Sequence, residues 1–203
     1  MKYLQPTYFF DSDHPNIQNL VKEFKIDSLS NKEKSIQLYL KVRDGWRYDF
    51  RNLRFEEKDF KASAIAERTA GHCIDKAILL VAGLRALEIP ARIHFAKVKN
   101  HIAVESIIKQ IGTDELTPHG MVDVFLNGKW LKVSPAFNAA LCEKCNVDPL
   151  DFDGENDSLF QQFNEEGDEF MEYLEEYGYF EDFPIKRIME ILRENFAPEV
   201  LVG

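Results

Sequence analysis

Three cysteines in 203 residues are too few, and of the wrong parity, for a disulfide framework, so reduced thiols and a cytoplasmic setting are expected. No apolar run approaches the ~20 residues that a membrane-spanning helix needs. The opening Met1-Lys2-Tyr3-Leu4-Gln5-Pro6 has no apolar segment after its charge, so no secretory signal is expected there. Positive charge is outnumbered: 25 Lys and Arg stand against 35 Asp and Glu, a formal net charge of -10. That balance argues against nucleic acid or an anionic membrane as the partner. No P-loop, G-x-G-x-x-G or H-E-x-x-H pattern occurs, which leaves nucleotide binding and zinc proteolysis without a motif. Cys142-Glu143-Lys144-Cys145 is a single CxxC without a second pair, a weak signal for zinc or redox chemistry. Neither a cofactor nor a metal is therefore expected.

What is present is a globular composition, 45% hydrophobic and 12% aromatic, well above the apolar content that leaves a chain disordered. The charge is unevenly placed. From Asp148 to Asp182 there are fourteen carboxylates and no Lys or Arg, which leaves a small positive excess on the rest. This divides the chain into a core over residues 1–146 and an acidic C-terminal extension over 147–203. Nine aromatic side chains between Phe152 and Phe183 predict that the extension packs on the core rather than remaining solvated. Phe163, Phe170, Tyr173, Leu174 and Tyr177 have the spacing of an amphipathic helix, and Pro184 opens a further one.

The first half reads as helical. Asp13 before His14-Pro15 predicts an N-cap, followed by Ile17, Leu20, Val21 and Phe24 at helical spacing. Ser30-Asn31-Lys32-Glu33 fits a capping box, and Gly45 ends that helix. Ser63 to Arg68 suggests a short third helix. From Cys73 to Leu87 the sequence is apolar nearly all round, which predicts a central helix buried on most faces and stopped before Pro90. Beyond Pro90 the period changes. Ala91 to Lys99 reads as a strand, and Asn127-Gly128 joins Met121–Leu126 to Lys129–Val133 as a two-residue hairpin. Helices followed by an antiparallel sheet give an α+β fold.

In such a hairpin, Leu126 faces Lys129 and paired residue numbers sum to 255. Val122, Val124, Leu131 and Val133 then share the face that meets the core. Extending the register sets His119 opposite Ala136, with Ser134 and Asn138 as diagonal neighbours on the same face. Asp123 falls opposite Lys132, which predicts a cross-strand ion pair. Cys73, meanwhile, sits in the first turn of the central helix, where unpaired N–H groups and the helix dipole favour a thiolate. A thiolate beside an imidazolium is the nucleophile of cysteine acyl-transfer enzymes, and helix-tip N–H groups suit a developing oxyanion. The alternative for any one cysteine is a buried structural thiol. His72, on the next face of the helix, suits a capping or substrate-lining role, while His14, His94 and His101 have no such setting.

Gly71-His72-Cys73-Ile74-Asp75-Lys76-Ala77-Ile78-Leu79-Leu80 followed by Leu84-Arg85-Ala86-Leu87-Glu88-Ile89-Pro90-Ala91-Arg92 resembles the nucleophile helix of the transglutaminase-like superfamily. There a G-x-C helix precedes an R-x-L-G-I-P-A-R-like stretch. His119-Gly120-Met121-Val122-Asp123-Val124 and Trp130-Leu131-Lys132-Val133-Ser134-Pro135 are similar to that family's histidine strand and its W-x-x-x-D-P strand. The resemblance spans residues 7 to 138. It implies a papain-like core fold, Cys73 as nucleophile and His119 as general base, with acyl transfer from a peptide or isopeptide amide through a thioester. The implied partner is a protein or peptide substrate. One position departs from the family: Ser134 stands where an Asp would orient the imidazole. A hydroxyl carries no charge, and charge-assisted hydrogen bonds are about twice as strong as neutral ones. Asn138 is the second candidate for the orienting role, as an amide is in papain-type sites. The departure also admits a different expectation, that of a catalytically silent domain which binds a protein or peptide in its cleft.

Overall fold

The capping chemistry of the N-terminal helices sets the frame on which the sheet is laid. The structure, a computed structural model, describes residues 2–49, 54, 56–101, 113–159 and 171–196. Helix α1 (Pro15–Val21) begins one residue later than the sequence suggested. His14 is its N-cap and accepts the Asn16 N–H at Nδ1, 3.2 Å away. Asp11 instead caps the short helix α3 (Ala62–Ala66), accepting from the Ser63 N–H at 2.9 Å and the Ser63 hydroxyl at 2.6 Å. Between them α2 (Asn31–Gly45) opens on the expected capping box of Ser30 and Glu33. Two short strands, β1 (Arg47–Tyr48) and β2 (Ala70–Gly71), pair in parallel just before the central helix.

That helix, α4 (Cys73–Ala86), is buried at every position from Cys73 to Arg85. It packs against α1, α2 and α3 on one side and against strands of the sheet on the other. Its C-terminus is a Schellman turn, in which Ile89 N–H donates to the Leu84 carbonyl at 2.9 Å and Glu88 N–H to the Arg85 carbonyl at 3.0 Å. Glu88 has φ 61°, the left-handed conformation that glycine adopts without cost. Arg85, 3% exposed, donates from the helix to the carbonyls of Ala91, Gln5 and Glu181 and so ties the N-terminal segment and the residue after β6 to it.

The sheet has the order β5–β4–β3–β6 and is antiparallel throughout. Its strands are β3 (Ala91–Asn100), β4 (Glu115–Leu126), β5 (Lys129–Val133) and β6 (Met171–Phe180). The β4–β5 hairpin has the expected register, Leu126 opposite Lys129 through Val122 opposite Val133. Asn127 and Gly128 turn at φ 51° and 83°, the positive values a type I′ turn needs. Val122, Val124, Leu131 and Val133 are all buried. The Asp123–Lys132 ion pair does not form. Although the two residues are opposite in register, Asp123 turns to β3, bonding Arg92 Nε at 2.8 Å and His94 Nδ1 at 3.0 Å. Lys132 reaches Glu176 of β6 at 2.7 Å instead.

The acidic extension differs from its expected form. Tyr173, Leu174 and Tyr177 lie on β6, not on a helix, while Phe163 and Phe170 fall outside the described residues. Leu174, which a helix would have buried, is 41% exposed. The reason is tertiary: β3 has a second edge whose backbone groups need partners, and β6 supplies them. A short helix α5 (Ala139–Lys144) precedes this region, and α6 (Ile185–Asn195) follows Pro184 as anticipated, burying Ile188, Ile191 and Leu192. Phe183 stacks on Phe60 with ring centroids 4.8 Å apart and meets Phe9 at 5.4 Å, which fixes the extension to the segments that precede α1 and α3.

Candidate active site

The first turn of α4 is closed by its own neighbours. His72 is the N-cap; its Nδ1 accepts the Ile74 N–H at 3.2 Å, and the Asp75 carboxylate accepts the His72 N–H at 3.2 Å. The histidine beside the candidate nucleophile is thus a capping residue, one of the two roles its position suggested. Cys73 follows as the first helical residue, with a free thiol 7% exposed. Burial pushes its pKa up to about 11, outweighing the N–H groups of Gly120, Ile74 and Cys73 itself that favour the thiolate. The expectation of a depressed thiol at the helix tip therefore does not hold for the resting protein. Desolvation of a small anion costs more than the helix end returns.

Strand β4 brings the histidine. Gly120 lies directly on the start of α4; a Cβ there would stand 2.9 Å from Ile74 Cα and 3.2 Å from the Cys73 carbonyl oxygen. Only glycine lets the strand backbone approach the helix this closely. His119, one residue earlier, is fully buried. Its Nε2 meets the Ser134 hydroxyl at 3.2 Å, and its Nδ1 is buried without a hydrogen-bond partner. The ring and the Cys73 sulfur accordingly share no hydrogen bond. Burial lowers the pKa of His119 to about 4, so that at neutral pH both groups are uncharged.

Ser134 meets the imidazole, at Nε2, on the face where the sequence set the two residues. Asn138 does not. Its Oδ1 accepts the Tyr48 N–H at 2.9 Å, tying β1 to the start of α5, and it makes no bond to the imidazole. The reason is that paired register ends at Val133; Ser134 N–H turns to the Ser158 carbonyl at 3.0 Å and the chain leaves the sheet. The wall of the site near Cys73 comes from Tyr48, whose hydroxyl is held neutral well above the usual range, by burial first and then by the proximity of Cys73 and Asp49. The Tyr48 ring meets Phe137 edge-on, 4.7 Å between centroids.

Two participants escaped the sequence reading. Lys76 is 0% exposed inside the apolar helix, and its ammonium donates to the carbonyls of Arg43 and Ala136, each at 2.7 Å. A lysine within a helix apolar on every face was the available signal, since such a group must find buried partners. Gly120 was the second; its meaning appears only when helix and strand are juxtaposed. Cys142 and Cys145, the CxxC pair, are both free thiols, and burial raises the pKa of each.

An antiparallel sheet laid against a buried helix that starts at a cysteine, with a histidine strand crossing the helix tip, is the arrangement of a papain-like core. The family model of the transglutaminase-like superfamily matches residues 18–135, more than half of the chain, and the protein belongs to that superfamily. No curated protein sequence matches the chain. Among solved structures, that of a "Putative Cysteine Protease" from Cytophaga hutchinsonii is similar at 22% identity, with a TM-score of 0.48. The match covers 66% of this chain and 40% of that one, so the chain spans about two fifths of that protein's length.

Proposed function

We propose that the protein is a cysteine acyl-transfer enzyme, with Cys73 as nucleophile, His119 as base and Ser134 as the group that orients the imidazole. The observation that carries this reading is the unpartnered Nδ1 of a fully buried imidazole. The strand that holds it touches the first turn of α4 at the very next residue. A buried nitrogen without a partner is costly and marks a site that a reactant completes. The substrate class is a peptide or isopeptide amide. The Cys73 sulfur attacks the amide carbonyl carbon while its proton passes to His119. The imidazolium then protonates the departing amine as the C–N bond breaks and a thioester remains. Water, or an acceptor amine, gives its proton to His119, attacks the thioester and restores the thiol. The Gly120 and Cys73 N–H groups near the sulfur are the available donors for the oxyanion. Hydrolysis is preferred because water is the ubiquitous acceptor. Three free thiols support a reducing, cytoplasmic setting. Among the described residues, no helix is long and apolar enough to cross a membrane.

A silent, peptide-binding domain is the second reading. It is favoured by the uncharged resting pair and by Ser134, which brings no negative charge to the imidazole. Incubation with a panel of peptide and γ-glutamyl amides, followed by intact mass spectrometry after acid quench, separates the two. The enzyme reading expects an acyl adduct on Cys73 and amine release, both lost in Cys73→Ser and His119→Ala. Binding of the same peptides to wild type and Cys73→Ser alike, with no adduct on either, overturns it in favour of the binding domain.

A further inference from the structure

Lys76 follows Cys73 by three residues, so the two lie on one face of α4, one turn apart. Its side chain is fully buried, yet it makes no hydrogen bond to a carboxylate; its two acceptors are backbone carbonyls from two different segments. Arg43 O belongs to the last turn of α2, whose carbonyls have no partner within the helix. Ala136 O lies two residues after Ser134, in the stretch that has left the sheet. That stretch has further anchors, two from α2 and one from β1. The Tyr39 hydroxyl donates to the Ser134 carbonyl at 3.0 Å, the Tyr48 N–H to Asn138, and the Ala139 N–H donates to Asp44 at 2.9 Å. Of these anchors only the Lys76 ammonium comes from the helix that carries the nucleophile.

We propose that Lys76 is the positioning residue of the site. Its ammonium clamps the Ser134–Asn138 segment to the nucleophile helix, and so holds the Ser134 hydroxyl, and through it the His119 ring, in place relative to Cys73. The proposal rests on the reading of Cys73 and His119 as the reacting pair. Because a charged lysine donates more strongly than a neutral amine, the clamp is tight when the ammonium is protonated and slack when it is not. Burial brings its pKa down to about 7, opposed by Asp44, with Arg43 adding to the lowering and Cys142 and Cys73 countering it. These are the groups that α2, α5 and α4 itself present to it.

The test is the pH profile of Cys73 carboxamidomethylation, followed by peptide mass spectrometry from about pH 5.5 to about 9.5 in wild type and Lys76→Met. Wild type is expected to show an inflection near neutral pH in addition to the rise due to the thiol itself. Lys76→Met is expected to lose that inflection and to differ from wild type by about fivefold in rate below it, the scale of one lost hydrogen bond. Lys76→Arg, whose guanidinium does not titrate here, is expected to keep the low-pH rate and show no inflection. A second measurement needs no variant: in wild type, the Phe137 amide and the His119 ring protons should follow one NMR titration near neutral pH. Superimposable profiles for wild type and Lys76→Met overturn the proposal. So do His119 signals that stay flat while Phe137 titrates, and, if Lys76→Met does not fold, this NMR outcome decides. Neither readout involves turnover, so a chain lacking amide activity leaves the Lys76 result intact, and loss of the inflection leaves the nucleophile assignment to its own test.

Discussion

At the scale of single residues, the site is governed by burial more than by charge. His119 is held neutral to about pH 4, against about 6.5 in an unfolded chain. Between those values the unfolded chain binds a proton that the folded one refuses, so stability falls as pH drops from about 6.5 toward 4. His119→Gln should flatten that stretch of a urea-melt series against pH; an unchanged slope would place the loss elsewhere. Ser134→Asp sets a carboxylate where a hydroxyl now sits 3.2 Å from Nε2. It is expected to raise the imidazole pKa and to speed Cys73 alkylation at neutral pH, measured with iodoacetamide; a slower reaction would mean that Ser134 does not face the base. Gly120→Ala forces a methyl group to within 2.9 Å of backbone at Ile74. That should destabilise the fold by about 1–3 kcal/mol in a denaturant melt.

At the scale of elements, helix α4 and strand β6 show opposite sources of order. Helix α4 ends at Glu88 in a left-handed conformation, where the related family pattern has glycine. Glu88→Gly is expected to stabilise the protein by up to about 1 kcal/mol by relieving the Cβ clash, read as a rise in Tm. Strand β6 is held on β3 by a charge cluster. His94 lies between Asp123 and Glu176, which Arg92 and Lys132 approach in turn. Burial alone would lower the pKa of His94, but the two carboxylates more than offset it and leave it raised. Stability from this histidine is thus complete below about pH 6.5 and is lost as pH climbs through its raised folded value. Protection factors of the β6 amides, with the intrinsic base catalysis of exchange divided out, should fall over that climb in wild type and not in His94→Gln; equal behaviour of the two would show that the cluster does not hold the strand.

At the scale of the whole molecule, helices α1 to α3 wrap one side of α4 and the sheet covers the other, with the acidic extension threaded into that sheet as its edge strand. Much of this was legible in local sequence because the signals were local. The Ser30 capping box, the all-apolar run after Cys73 and the Asn127-Gly128 turn each fix a backbone conformation through neighbours a few residues away. The hairpin also pointed to the meeting of His119 and Ser134, although its paired register stops at Val122 and Val133, just short of both. It failed one residue past Val133, and Asn138 was lost with it. The extension misled for a related reason: Tyr173, Leu174 and Tyr177 satisfy helical spacing, while the unpaired edge of β3 decides the matter from more than seventy residues away in the chain.

What the amino-acid sequence determined by itself, then, was the nature of helices α1 to α4 and of the β4–β5 hairpin, the family, and which cysteine starts the buried helix. Short-range backbone sterics, capping bonds and hydrophobic period act within a few residues and need no partner to be read. Only the tertiary structure decided the protonation of Cys73 and His119, the partner of Asn138, the pairing of β6 and the burial of Lys76 against two carbonyls. Desolvation and long-range hydrogen bonding depend on which surfaces close over a group, and that is a property of the assembled core.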